Sequence, residues 1–281
     1  MRKILATDLD GTLFYPSKVK TAIPKKNTKF LRKWIDDGNK VVLVTSRSKQ
    51  FIEDLKKEIG RDCDYLACSG ANVVADNQEI RRLTIPNKKL ISILNIINEE
   101  YHPLGFLLTT EKYPCIAKSN RVIGKFFMIF YRLWYLFQFK RREPAVLDHK
   151  LFDKELKEGT VYKVMIFFGL GARKKKFTKE LNKVFRAEYP EMEFSWSRKV
   201  NEITPYGCNK GESLEYYCEA MGVDKNDVIV VGDSGNDISM FTKFHENSYC
   251  MRKAYTSVRK YAKHTIKRVH QLDSVLKGEN E

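Results

Sequence analysis

The chain has 281 residues, 43% hydrophobic and 31% charged, a balance that excludes a disordered or fibrous protein and leaves room for two globular domains. Lysine and arginine number 51 against 35 acidic residues, a formal net charge of +16. That excess suits a nucleic acid, an anionic membrane surface or small anionic substrates, and equally a solvated lysine-rich surface.

The segment KILATDL (3–9) reads as a first, buried strand. NTKFLRKWIDDG (27–38) has helical spacing at Phe30, Leu31, Trp34 and Ile35, with Gly38 as its stop. KVVLVTS (40–46) is a near-continuous β-branched run and predicts a second buried strand. SKQFIEDLKKEIG (48–60) predicts a helix capped by Ser48 and ended by Gly60. YLACSGANVV (65–74) reads as a third strand and a turn. Strands alternating with helices imply a parallel sheet covered on both faces.

The middle of the chain is different. KFFMIFYRLWYLFQFKRR (125–142) has twelve apolar residues among the fourteen from Phe126 to Phe139. That run is shorter than the about 20 residues a membrane span needs, and Arg132 interrupts it. It is expected to pack as a buried or interdomain helix; an interfacial helix with basic flanks at Lys125 and Lys140 to Arg142 is the alternative. VYKVMIFFG (161–169) reads as a strand, ARKKKFTKELNKVFRAEY (172–189) as an amphipathic helix, and MEFSWS (192–197) as a half-exposed strand. The α/β signal then returns. KGESLEYYCEAMGV (210–223) predicts a helix, DVIVVGDSGND (227–237) a strand ending in acids and glycines, and DISMFTKF (237–244) another helix. The middle is thus α+β material inserted between two halves of an α/β domain, with boundaries near residues 82 and 200.

The cysteines, Cys63, Cys68, Cys115, Cys208, Cys218 and Cys250, form no C-x-x-C pair, and the histidines complete no zinc pattern with them. Reduced thiols in a cytoplasmic protein are the expectation. The stretch MRKILATDLDG carries no apolar run long enough for a secretory leader.

Three polar clusters fall at the C-terminal ends of predicted parallel strands, where open α/β sheets place their sites. They are Asp8-Leu9-Asp10-Gly11-Thr12, Thr45-Ser46-Arg47 and Gly232-Asp233-Ser234-Gly235-Asn236-Asp237. Four acids brought together repel unless something positive neutralises them. A hard divalent cation does so, and Lys210 in GCNKGE offers a second positive charge. A carboxylate, Mg²⁺, a lysine and hydroxyl donors suit phosphoryl transfer: one carboxylate attacks phosphorus and a second, protonated, serves the leaving group. At i and i+2 of a strand Asp8 and Asp10 would share a face, but at a strand end the backbone can turn and aim them differently.

In order and spacing, DLDGT, VTSR, NKGES and VGDSGND resemble the four motifs of the haloacid dehalogenase superfamily, and more narrowly its Cof-like, class IIB sugar-phosphatase branch. The likeness covers residues 1–80 and 200–245 closely and the middle only in architecture. It implies a Rossmann-like doubly wound parallel-sheet core, residues 1–82 and 200–281, with an α+β cap at 83–199. By this resemblance Asp8 is the nucleophile and a Mg²⁺ ligand, and Asp10 is the general acid and then the base that activates water. The Asp10 carbonyl also reaches the metal, Asp233 binds it and Asp237 supports that shell. Thr45 holds the phosphoryl group, Lys210 stabilises its charge and holds Asp8, and Asn236 contacts phosphate or the metal's surroundings. Backbone amides after Asp8, at Leu9, and around Ser46 form an anion-binding nest.

Two positions depart from the branch. Its second motif commonly reads T-G-R, with Ser46 here in the glycine position, and Ser69 of CSGANVV stands where the branch often has Asn. Arg47 is expected to pair with a nearby acid. The resemblance implies a Mg²⁺-dependent phosphatase of small phosphorylated metabolites, sugar phosphates foremost, working through an aspartyl phosphate with no obligate nucleic acid. A phosphotransferase or mutase on the same fold, or an added role on an anionic surface, stands beside it. A closing cap selects the leaving group, and TEKYP (110–114) is a candidate for reading it. The sequence carries no signal for an oligomeric state.

Overall fold

Strand β1, Ile4–Thr7, is buried along its whole length, as a strand with neighbours on both edges and helices on both faces must be. The structure, a computed structural model, describes residues 2–16, 21–119, 124, 126, 129, 133, 143, 145–168, 185, 187–197 and 200–278. It forms two units, Met1–Arg82 with Asn209–Glu281, and Leu83–Cys208.

After β1 come α1 (Lys25–Asp36), β2 (Lys40–Val44), α2 (Lys49–Ile59), β3 (Asp64–Ala67), β4 (Asn72–Ala75) and β5 (Gln78–Arg82). The caps of α2 are those the sequence suggests: Ser48 Oγ accepts from the Phe51 amide at 3.4 Å, and Gly60 ends the helix at φ 67°. YLACSGANVV holds more than a strand and a turn. Its second half, β4, folds back antiparallel on β3, and β5, which carries no clear apolar alternation, pairs antiparallel with β4.

The second unit holds α3 (Asn87–Tyr101), β6 (Gly105–Thr110), β7 (Ile116–Lys118), β8 (Val146–Leu147), α4 (His149–Glu158), β9 (Val161–Phe167), β10 (Met192–Ser197) and β11 (Val200–Pro205). Its strands lie in the order β10-β11-β9-β6-β7-β8, antiparallel except for the parallel pair β7–β8. Helices α3 and α4 bury Ile93, Ile97 and Phe152 against Phe106, Val164 and Ile166 on one face of this sheet. The sequence pattern ended the insertion at 199. The structure moves that limit, because β11 is hydrogen-bonded between β10 and β9 and carries the unit on to Cys208.

Two expectations fall largely outside the described residues. The helix over 172–189 is described as helical only at Phe185, Ala187 and Glu188, and the aromatic run 126–139 only at Phe126, Ile129 and Leu133. Those last three side chains are exposed, so core packing of the run does not hold at any of its described positions.

The first unit resumes with α5 (Lys210–Met221), β12 (Val228–Gly232), α6 (Ile238–Lys243), β13 (Ser248–Met251), α7 (Thr256–Arg259), β14 (His264–Ile266) and α8 (Leu272–Val275). Its sheet has the order β14-β13-β12-β1-β2-β3-β4-β5 and is parallel from β14 to β3. Alternation along the strands divides the core in two. Leu5, Val41, Leu43, Ile229 and Val231 face α1 and α2 through Leu31, Trp34, Ile52 and Leu55. Ile4, Ala6, Val42, Val44, Val228 and Val230 face α5 and α6 through Leu214, Tyr217, Met240 and Phe241. With β12, β1 and β2 side by side, the loops after all three open at one edge of the sheet.

Candidate active site

The chain leaves the sheet at Asp8, whose amide still donates to Val231 O on β12 at 2.9 Å. A tight turn follows, closed by Leu13 N to Asp8 O at 3.2 Å and Phe14 N to Leu9 O at 3.0 Å. Within it Asp10 takes the extended ψ of 114° and Gly11 a φ of 85°. Glycine is required there twice over, by that left-handed φ and because a Cβ would run into the Asp233 carboxylate. The turn separates the two aspartates that a straight strand would have put on one face.

Asp8 points into a buried cluster. Its Oδ1 accepts from Lys210 Nζ at 2.6 Å, and the same ammonium donates to Asp237 Oδ1, also at 2.6 Å. Lys210 is the first residue of α5, whose cap Asn209 accepts from the Glu212 amide. The helix sits close because glycines allow it: a Cβ at Gly211 would strike the Ser239 carbonyl of α6, and one at Gly70 the Ser213 side chain. Asp237 Oδ2 accepts from the amides of Asp233 and Ser234, each at 2.9 Å, and so fixes the loop after β12. Asp233 accepts from Thr12 Oγ1 at 3.2 Å and lies 3.7 Å from Lys253 Nζ.

One ammonium is thus shared by two buried carboxylates, which leaves the group short of positive charge. Burial pushes the Asp8 carboxyl up to about 8; Lys210 opposes the rise and Asp237 adds to it. Burial disfavours the Lys210 ammonium, yet Asp237 and Asp8 together hold its pKa above the ordinary lysine value. Asp233 is also raised, by burial first, with Lys253 pulling the other way.

A divalent cation fits this chemistry. Asp8, Asp233 and Asp237 each offer a carboxylate oxygen, and the three oxygens lie within 4.8 Å of one another. Asp8 Oδ2 is buried and has no hydrogen-bond partner, a costly state unless something else satisfies it. An all-oxygen donor set suits Mg²⁺ or another hard cation. Both oxygens of Asp237 already carry hydrogen bonds, so its work is to brace Lys210 and the Asp233–Ser234 amides.

Asp10 lies apart from these three carboxylates. Its side chain is about half exposed, 54%, and Arg47 grips it with two bonds, Nε to Oδ2 at 2.5 Å and Nη2 to Oδ1 at 2.8 Å. The guanidinium is backed by the Phe51 ring, 4.2 Å from its centroid. Arg47 was expected only to find a nearby acid; that acid is Asp10, held in a fixed plane.

The other singled-out residues line the same sheet edge. Thr45 is buried after β2, with its Oγ1 accepting from the Arg47 amide at 3.1 Å. The turn Cys68–Gly70 holds this loop from the far side, through Ser69 N to Thr45 O and Cys68 N to Arg47 O, both 2.8 Å. Ser46 is absent from the described non-glycine residues with positive φ, so serine in the glycine position costs the backbone nothing. Ser69, at φ 60°, does adopt the left-handed conformation, which asparagine takes more readily. Leu9 is buried inside the first turn. Asn236 is exposed and bound to Ser234 Oγ at 2.6 Å; no direct bond from Asn236 or Thr45 reaches Asp8 among the described residues. Sequence reasoning passed over Thr12 and Lys253. Thr12 lies in the quoted DLDGT, so its place in the motif was the available signal, whereas Lys253 carries none.

The sequence model of the haloacid dehalogenase-like hydrolases matches residues 5–278. An uncharacterized protein of Mycoplasma capricolum is 28% identical, over 97% of this chain and 99% of its own. The pyridoxal phosphate phosphatase YbhA of Escherichia coli is 24% identical, over 85% of this chain and 84% of its own. Among solved structures, a phosphatase of the haloalkanoate (HAD) enzyme superfamily from Bacteroides thetaiotaomicron superposes with a TM-score of 0.72 at 20% identity, covering 99% of this chain and 95% of that one. The chain belongs to the haloacid dehalogenase-like hydrolase family.

Proposed function

We propose that this chain is a Mg²⁺-dependent phosphatase that hydrolyses small phosphorylated metabolites, sugar phosphates foremost, through an aspartyl phosphate on Asp8. The carrying observation is the division of labour between two aspartates two residues apart. One is buried with an unbonded oxygen beside Lys210, and the other is turned away and clamped by Arg47.

Asp8, Asp233 and Asp237 are the side chains that would hold or brace the cation, which supplies charge neutralisation for the phosphoryl oxygens when bound. Asp8 attacks phosphorus, forming an O–P bond as the bond to the leaving oxygen breaks. Asp10 gives that oxygen its proton, so the product leaves as the neutral alcohol. Asp10, now a carboxylate, takes a proton from water as the water attacks the acyl phosphate. The bond from Asp8 to phosphorus breaks, inorganic phosphate leaves and both side chains return to their starting forms. Lys210 keeps Asp8 in place and offsets charge on the transferring group.

Six buried cysteines, none in a disulfide, support a reducing, cytoplasmic setting. The test is hydrolysis of p-nitrophenyl phosphate with and without Mg²⁺, then of a panel of sugar phosphates and pyridoxal 5′-phosphate. Asp8→Asn is expected to lose about 10³-fold or more in kcat; an active variant would sink the mechanism. Label appearing on an added sugar rather than as free phosphate would instead mark a transferase.

A further inference from the structure

Between β7 and β8 the described positions change character along the chain. It begins firmly held, with Ser119 Oγ donating to Leu104 O at 2.5 Å. Gly124 is buried so closely against the same residue that a Cβ would strike the Leu104 carbonyl. Two residues later the character reverses. Phe126 is 69% exposed, Ile129 45% and Leu133 50%. All three positions are helical, and their spacings of three and four are those of residues that share a helix face. A stripe of Phe, Ile and Leu facing water marks a surface made to be covered.

The sequence around the stripe says what covers it. From Arg121 to Arg142 there are six basic residues, Arg121, Lys125, Arg132, Lys140, Arg141 and Arg142, and no Asp or Glu, in a chain of net charge +16. Tyr131, Trp134 and Tyr135 add the aromatic types that favour the boundary between headgroup and acyl chain. Apolar side chains alone would serve a protein partner. Joined to cationic flanks they match a surface that is apolar within and negative outside. The run is too short to cross such a layer.

We infer that the face carrying Phe126, Ile129 and Leu133 docks on an anionic lipid bilayer. The purified full chain is sedimented with vesicles of pure phosphatidylcholine and with vesicles containing about one third phosphatidylglycerol, at low and high salt. It pellets with the anionic vesicles, far less with the neutral ones, and binding falls as salt rises. Phe126→Ser with Ile129→Ser and Leu133→Ser weakens the partition about tenfold or more, with thermal midpoint and p-nitrophenyl phosphate turnover unchanged. Should that triple variant fail to fold, Lys140→Gln with Arg141→Gln and Arg142→Gln reads the charge part alone, by a weaker and less salt-sensitive partition. The inference is overturned by equal binding to both vesicle types, by binding indifferent to both sets of substitutions, or by a dimer that the triple variant abolishes while no vesicle is bound. None of these readouts depends on turnover, so they stand or fall apart from the catalytic reading.

Discussion

Asp8 and Asp10 are the same residue type two positions apart, yet they end in opposite surroundings. Asp8 is enclosed, shares one ammonium with Asp237 and keeps an oxygen without a partner. Asp10 faces solvent on one side and a guanidinium fork on the other. The proposed chemistry needs a nucleophile that stays put and a proton carrier that meets both leaving group and water. The contrast teaches that environment, set by one left-handed glycine and two cations from distant segments, assigns those jobs.

The largest expected effect breaks the enclosed side. Lys210→Met leaves two carboxylates buried without their counter-charge and should cost about 3–5 kcal/mol in denaturant unfolding, with turnover lost. Arg47→Met strikes the open side. Its partner is half exposed, so stability should fall by only about 1 kcal/mol or less, while kcat drops about 10–100-fold because Asp10 is no longer aimed. Equal stability losses in the two variants would erase the distinction drawn here.

pH sharpens the same contrast. The Asp8 carboxyl, raised to about 8 by burial, must be ionised to hold Mg²⁺. Mg²⁺ affinity should therefore fall about tenfold for each pH unit below that value and level off above it, with about one proton released per ion near neutrality. Calorimetric titration in buffers of different ionisation heat measures both. The smallest effect concerns the support rather than the chemistry. Ser69→Asn, placed at φ 60° in the turn that holds the Thr45–Arg47 loop, should stabilise the fold by about 0.5–1 kcal/mol with turnover unchanged.

The acids and Lys210 were legible because each ends a strongly apolar strand or opens a helix, and such ends are where parallel sheets gather side chains. The parallel sheet followed from strands alternating with helices, but the order of its strands did not. What stayed hidden depends on contacts without periodic trace. Thr12 meets Asp233 across 221 positions, and Lys253 reaches that carboxylate from the stretch after β13. Strands β5, β13 and β14 are short or half polar, so pairing partners rather than their own residues define them. The last strand of the second unit, β11, looked like the return to the first because its pairing with β9 is invisible in a linear reading.

The register that pairs Ile4 with Val228 has a consequence in time. Asp8 leaves the ribosome 202 positions ahead of Lys210. Until α5 and β12 have emerged, β1 lacks its neighbour and Asp8 has no ammonium beside it. Long-range parallel pairings of this kind close slowly, so a nascent or truncated chain carries the Asp8 carboxylate without its counter-charge.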